Sequence, residues 1–236
     1  MLKNGFMVRF YQALSICIVL IFTSFGVYSD QSTTTTTTVE KPESSTPLKI
    51  LVLGDSLSAA YGLTQGEGWV SLLQDMLQNT KDTQHISVVN GSISGETTDG
   101  GLSRLPRLLE LHKPTHVLIE LGGNDGLQGH NIKKLKNNLA QIVQITQTSG
   151  AQALLQQMQI PTNYGRRYNT MFINAFAQTA EAFSIPLIPF FLEEIALQPE
   201  LMQNDGIHPT AEAQPMIAEF MYENLVIPYL TKKPAS

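Results

Sequence analysis

A parallel β-sheet between two layers of helices is the α/β fold this sequence predicts, and three observations carry the prediction. Two short runs, LKILVL and HVLIEL, are almost continuously apolar, as strands covered on both faces must be. The stretches between strand candidates place apolar residues at helical spacing. The two patterns alternate along the chain without an internal repeat, which is how βα units build a parallel sheet. With 236 residues, 42% hydrophobic and 15% charged, the chain suits one medium domain with a full core. That domain is expected from Leu48 to about Leu230, as a three-layer α/β/α unit, with residues 231–236 as a tail.

Residues 1–29 come first, with Lys3 and Arg9 and no acid ahead of a short apolar run and Val27-Tyr28-Ser29. This three-part layout reads as a secretory signal cleaved after Ser29. The run is short for a membrane span, which needs about 20 residues, although an uncleaved tether is the alternative. The one cysteine, Cys17, lies inside this run. Bulky Ile16 before it speaks against a lipoprotein, and a single thiol excludes an internal disulfide or a multi-cysteine metal site. Residues 30–47, rich in Thr, Ser and Pro, read as a disordered linker. Strand candidates follow at 48–53, 86–90, 116–121, 153–159 and 186–189. Helical faces are formed by Trp69, Leu72, Leu73, Met76 and Leu77; by Ile132, Leu135, Leu139 and Ile142; by residues 168–183; and by Met216, Ile217, Phe220, Met221 and Leu225. The net charge of -5 and the lack of a Lys/Arg stripe exclude nucleic acid as an expected partner.

In a parallel sheet the C-terminal strand ends share one edge, and polar residues gather just after them here. Asp55-Ser56 follow the first strand, Ser94-Gly95-Glu96 the second, Gly123-Asn124-Asp125 the third and Asp205-Gly206-Ile207-His208 the fifth. A P-loop needs a lysine that the first loop lacks, and Gly54 and Gly62 do not match the dinucleotide-binding spacing. A metal could use Asp55, Asp125, Asp205 and His208, but without a close-packed ligand spacing. Nucleophilic catalysis fits best: Ser56 placed where a strand is expected to feed a helix, His208 as its base, Asp205 holding the imidazole. Backbone N–H groups of Ser56 and Gly95 and the Asn124 amide would then serve a developing oxyanion, with Gly91 as a rival to Gly95. Each residue alone has a plainer reading: Ser56 as a helix N-cap, Asn124-Asp125 and Asp205-Gly206 as turns. Their joint occurrence, each after a different strand, favours the catalytic one. His112 and His116 read as solvated or strand-capping, His85 and His130 as surface loop residues.

The blocks GDSLSAAYG, SISGETT, ELGGNDGL and DGIHP resemble those of the GDSL, or SGNH, hydrolase family. The likeness extends through QMQIPTNYGRRYN, PFFLEEIAL and DGIHPTAEAQP, and is greatest to its periplasmic thioesterase, lysophospholipase and arylesterase branch. The resemblance implies a flavodoxin-like sheet of five parallel strands, with Ser56 as nucleophile, Gly95 and Asn124 as oxyanion donors, and Asp205 and His208 as acid and base. It implies an acyl ester or thioester substrate, lysophospholipids included, and no metal or organic cofactor; the sequence leaves oligomeric state open, with a monomer as the default expectation. A carbohydrate O-acetylesterase using the same residues, a metal-dependent phosphoesterase and a non-catalytic binding module are the rivals. Pro161, Tyr164 and Arg166 are candidates for framing the acyl pocket, Arg166 also as a contact for a phosphate or CoA head group; Arg166 and Arg167 equally fit a solvated helix start. One departure is Ala60, where the family pattern has glycine; it is expected to tighten a first helical turn and leave the chemistry alone.

Overall fold

A computed structural model describes residues 46–231. The signal segment, nearly all of the linker, Cys17 and the last five residues therefore lie outside the described residues. Five strands, β1 (Leu48–Gly54), β2 (Ile86–Asn90), β3 (His116–Glu120), β4 (Gln152–Gln156) and β5 (Leu187–Ile188), form one sheet. Its order is β2-β1-β3-β4-β5 and every pair is parallel. β1 and β3 occupy the middle, so Ile50, Leu51, Leu53, Val117, Leu118 and Ile119 are fully buried, as their apolar runs require. β4 and β5 stop earlier than the sequence suggests. Pro186 and Pro189 bracket β5 and cannot donate to a ladder, which leaves β4 with a two-residue partner.

Right-handed crossovers decide the layers. The step from β1 to β2 runs one way and every later step runs the other. Helix α1 (Trp69–Asn79) therefore lies on one face, where it packs against α6 (Gln214–Met221). Helices α2 (Thr98–His112), α4 (Ile132–Thr148) and α5 (Arg166–Phe183) line the opposite face side by side. Short α3 (Gly123–Leu127) caps the edge after β3, and α7 (Ile227–Leu230) ends the domain. Trp69, Phe172 and Phe176 are fully buried, each worth roughly 2–3 kcal/mol on the transfer scale. Buried Gln214 accepts from the Trp69 N–H at 2.9 Å, satisfying an orphan donor at the start of α1.

Two local expectations need correcting. No helix begins at Ser56: the chain passes through successive turns, and α1 starts only at Trp69. Ala60 sits within those turns at φ 58°, in the left-handed region, so it tightens no helix and instead carries strain that glycine would not. Its methyl lies against Gly68, where a Cβ would come within 2.5 Å of it. Helix α2 places Leu102, Leu105 and Leu109 at helical spacing, but Gly100 and Gly101 in its first turn and Pro106 in its interior argue against a helix. It forms because Thr97 caps it, Leu105 and Leu109 are buried, and Gly101 lets it approach Leu121 closely. His116 is not solvated. It opens β3 nearly buried, and Thr115 Oγ1 lies 2.9 Å from its Nδ1.

Beneath the C-terminal edge two acids are buried together. The Glu120 carboxylate oxygen Oε2 accepts from Ser58 at 2.6 Å and from the Asp55 N–H at 3.2 Å. Burial, then the charge of Asp55, holds the Glu120 carboxyl well above its usual range. Burial also pushes Asp55 up to about 6, against the Leu57 N–H, His208 and Asn124, which favour its ionised form.

Both folded values exceed the unfolded ones, so the stability that protonated Asp55 allows is full below about pH 4 and is lost as the pH rises through about 6, and the loss at Glu120 runs in the same direction. As the pH rises from 5 to 8 the wild type is expected to lose stability that Glu120→Gln retains. Melting curves should show a gap that widens with pH, and a gap constant in pH would refute this account. Ala60→Gly is expected to raise stability by up to about 1 kcal/mol. A lowered melting temperature would mean the methyl's contact outweighs the backbone strain.

Candidate active site

The strand order reverses between β1 and β3, and a crevice opens beyond their carboxyl ends, the usual place for a ligand in such sheets. Ser56 leaves β1 there and Asn124 leaves β3. The Ser56 turn is fixed from three sides. Trp69 Nε1 donates to the Leu57 carbonyl at 3.2 Å, the Leu57 N–H donates to Asp55 Oδ1 at 3.1 Å, and the Ala59 N–H returns to the Asp55 carbonyl.

His208 arrives from the far end of the chain on a tight loop. The Gln203 N–H donates to the His208 carbonyl at 2.7 Å, Met202 bridges Pro209, and Gly206 takes φ 65°. Asp205 Oδ1 accepts from the N–H groups of Ile207 and His208 at 2.9 and 3.0 Å, while Oδ2 lies 2.6 Å from His208 Nδ1. Partial burial alone would raise the Asp205 carboxyl, but the His208 ring and these backbone donors outweigh it and hold it at about 2. An ionised carboxylate only accepts, so Nδ1 carries the imidazole proton and Nε2 is left to accept. Nε2 lies 2.8 Å from Ser56 Oγ. The N-cap reading of Ser56 fails on the same geometry, since its hydroxyl faces the histidine and no helix begins there.

The loop after β2 is stapled to α2. Arg104 donates to the Glu96 carboxylate and to the Gly91 carbonyl. Gly91, the rival donor, has its own N–H committed to the Val52 carbonyl at 2.9 Å. Gly95 borders the cavity at φ 78°, a conformation that suits glycine, and its N–H, like that of Ser56, has no partner among the described residues. Asn124 borders it too, but both its amide protons are engaged: Nδ2 donates to Asp55 Oδ2 at 3.1 Å and to the Glu96 carbonyl at 3.0 Å.

The proposed metal set is not assembled. Asp125 spends both oxygens on Thr98, at 2.8 Å from its N–H and 2.7 Å from its hydroxyl, and so serves the start of α2. No group of three or more potential ligands occurs among the described residues. Of the three pocket candidates, Pro161 lines the cavity while Tyr164 and Arg166 do not. Tyr164 donates its hydroxyl to the Leu127 carbonyl at 2.8 Å and stacks on Tyr168; exposed Arg166 opens α5. The walls that sequence reasoning did not assign are Tyr61, Met158, Phe190, Leu192, Leu197 and Ile207. They lie between the regular helices and strands, where no periodicity marks a cavity-facing residue; all six fall within the blocks that carry the family resemblance, but nothing in those blocks assigned them to the cavity.

The model of the family described as GDSL-like Lipase/Acylhydrolase matches residues 50–221. The chain is 49% identical over 178 residues to an arylesterase of Vibrio mimicus, covering 75% of this chain and 88% of that protein. It is 48% identical over 176 residues to the thioesterase 1/protease 1/lysophospholipase L1 of Escherichia coli, covering 75% and 82%. Among solved structures it is similar to the psychrotrophic esterase EstA from Pseudoalteromonas sp., inhibited by monoethylphosphonate. That likeness has a TM-score of 0.75 at 48% identity, over 78% of this chain and 99% of that one. The matched span takes in Ser56, Gly95, Asn124, Asp205 and His208 together with the sheet that presents them, and by that match the chain belongs to the GDSL-like lipase/acylhydrolase family.

Proposed function

We propose that this chain is a secreted serine hydrolase of acyl esters and thioesters, with Ser56 as nucleophile, His208 as base and Asp205 as its orienting acid. One observation carries the reading: two consecutive hydrogen bonds, Asp205 to His208 to Ser56, end in a largely apolar cavity of about 610 Å3. The activities named for the relatives in Vibrio mimicus and Escherichia coli support it. Secretion rests on the layout of residues 1–29. Among the described residues no helix is long and apolar enough to cross a membrane.

His208 Nε2 takes the Ser56 proton as Oγ bonds to the substrate carbonyl carbon, and the carbonyl electrons move onto oxygen. The unpaired N–H groups of Ser56 and Gly95 receive that oxyanion. Asn124 becomes the third donor when the new anion outcompetes the neutral Glu96 carbonyl for one amide proton. Collapse breaks the bond to the alcohol or thiol, which leaves with the proton from His208. Water then gives a proton to the same nitrogen, attacks the acyl-serine, and releases the acid and Ser56. Asp205, held at about 2, stays charged throughout the neutral range. No step requires a metal or an organic cofactor.

The apolar part of the cavity wall supports this reading over the sugar O-acetylesterase. Leu127, Met158, Phe190, Leu192 and Leu197 offer an acyl chain a partner, while a sugar ring buried there would leave hydroxyls unpaired.

Hydrolysis of p-nitrophenyl esters from acetate to palmitate is the direct test. Activity should peak at a medium or long chain, survive a chelator and vanish in Ser56→Ala. Activity in Ser56→Ala, or its loss to chelator, would overturn the serine mechanism, and a preference for acetate alone would favour the acetylesterase. Asn124→Ala is expected to lower kcat on the order of 10²–10³-fold with a small change in KM. An Asn124→Ala rate within tenfold of wild type would remove Asn124 from the oxyanion site.

A further inference from the structure

Tyr61 is half exposed, with 50% of its surface accessible, so it contributes little to the core; yet its ring packs against the His208 imidazole. The ring centroid lies 4.4 Å from that of His208, with 36° between the planes. The backbone that aims it is unusual on both sides, because Ala60 at φ 58° and Gly62 at φ 75° both take left-handed conformations. One side chain then latches it from across the site. Gln203 Nε2 donates to the Tyr61 carbonyl at 2.9 Å and to the Pro209 carbonyl at 3.0 Å, while the Gln203 N–H donates to the His208 carbonyl at 2.7 Å. A Cβ on Gly62 would come within 2.6 Å of Gln203 Oε1, so glycine is needed there for the latch to close.

From this geometry we infer that Tyr61 is a positioning residue for His208: its ring holds the imidazole in the orientation that joins Asp205 to Ser56 and favours the imidazolium formed during turnover, with Gln203 as the latch. The inference rests on the serine-hydrolase reading above. The charged groups facing the imidazole are Asp205 from its own loop and Asp55 from the end of β1, and no lysine or arginine lines the cavity. Both carboxylates favour the cation through charge. The tyrosine ring adds the attraction of its quadrupole and, packed 4.4 Å from the imidazole, supports the ring plane that the bonds to Asp205 and Ser56 set.

The test compares wild type, Tyr61→Phe, Tyr61→Leu and Gln203→Ala on one p-nitrophenyl ester across pH, alongside NMR titration of the His208 ring without substrate. Tyr61→Phe keeps the ring and should stay within about twofold. Tyr61→Leu should lower kcat roughly two- to five-fold, the range of an exposed cation–π contact, with KM little changed. It removes a group that favours the protonated ring, so the His208 titration and the acid limb of kcat should both move to lower pH. Gln203→Ala should move them the same way by less, and carries the same test should Tyr61→Leu fold poorly. An unmoved titration, or a loss confined to KM, would make Tyr61 a cavity wall and overturn the inference. Activity in Ser56→Ala would instead overturn the hydrolase reading itself.

Discussion

The register of two central strands governs the site. β1 and β3 run side by side with Gly54 opposite Glu120, so the segments carrying Ser56 and Asn124 leave the sheet as neighbours. Gly54 allows this approach, since a Cβ there would stand 2.5 Å from Glu120 Oε2 and 2.8 Å from Ser92 Oγ. A slip of one residue would turn every side chain of the strand to the other face and carry Ser56 out of the crevice. The Gly95 loop is tied to the same point, because the Ile93 N–H bonds the Gly54 carbonyl. Ser56, Gly95 and Asn124 thus inherit their spacing from the sheet.

Much of this was legible in the sequence because strands β1 and β3 are buried on both faces and declare themselves by composition alone. The polar clusters that follow them are short and sit against apolar runs, which makes them stand out. What stayed illegible has physical causes. Helix α2 is held by a cap and by tertiary burial against Leu121, while its own residues include two glycines and a proline, so local propensity argues against it. The turn nature of residues 55–62 depends on bonds to Trp69 and Gln203, which lie outside that stretch. Cavity walls such as Phe190 and Leu197 are contributed by loops, and no period of two or 3.6 residues runs through them. The double commitment of the Asn124 amide is a matter of atoms from three segments meeting, which sequence spacing does not encode.

The site also concentrates unfavourable terms. Two carboxyls are buried within reach of one another, and a non-glycine residue adopts a left-handed backbone in the turns that follow Ser56. The surrounding core, with Trp69 inserted under the Ser56 turn, supplies the rigidity that keeps them in place. Asp55 links these costs to function, because one carboxylate orders both the turn, through Leu57, and the Asn124 amide.

Asp205 and His208 stand three residues apart on a loop closed by its own hydrogen bonds. Their pairing therefore needs almost no chain entropy, and the imidazole proton can be placed as soon as that loop forms. The bond from His208 to Ser56 spans 152 residues and must wait for nearly the whole sheet. During synthesis and folding, the histidine would thus be oriented while the serine is still remote. The contact between Ser56 and His208 would appear only with the last long-range closure, so that a partly folded chain carries no assembled chain of hydrogen bonds from Asp205 to Ser56.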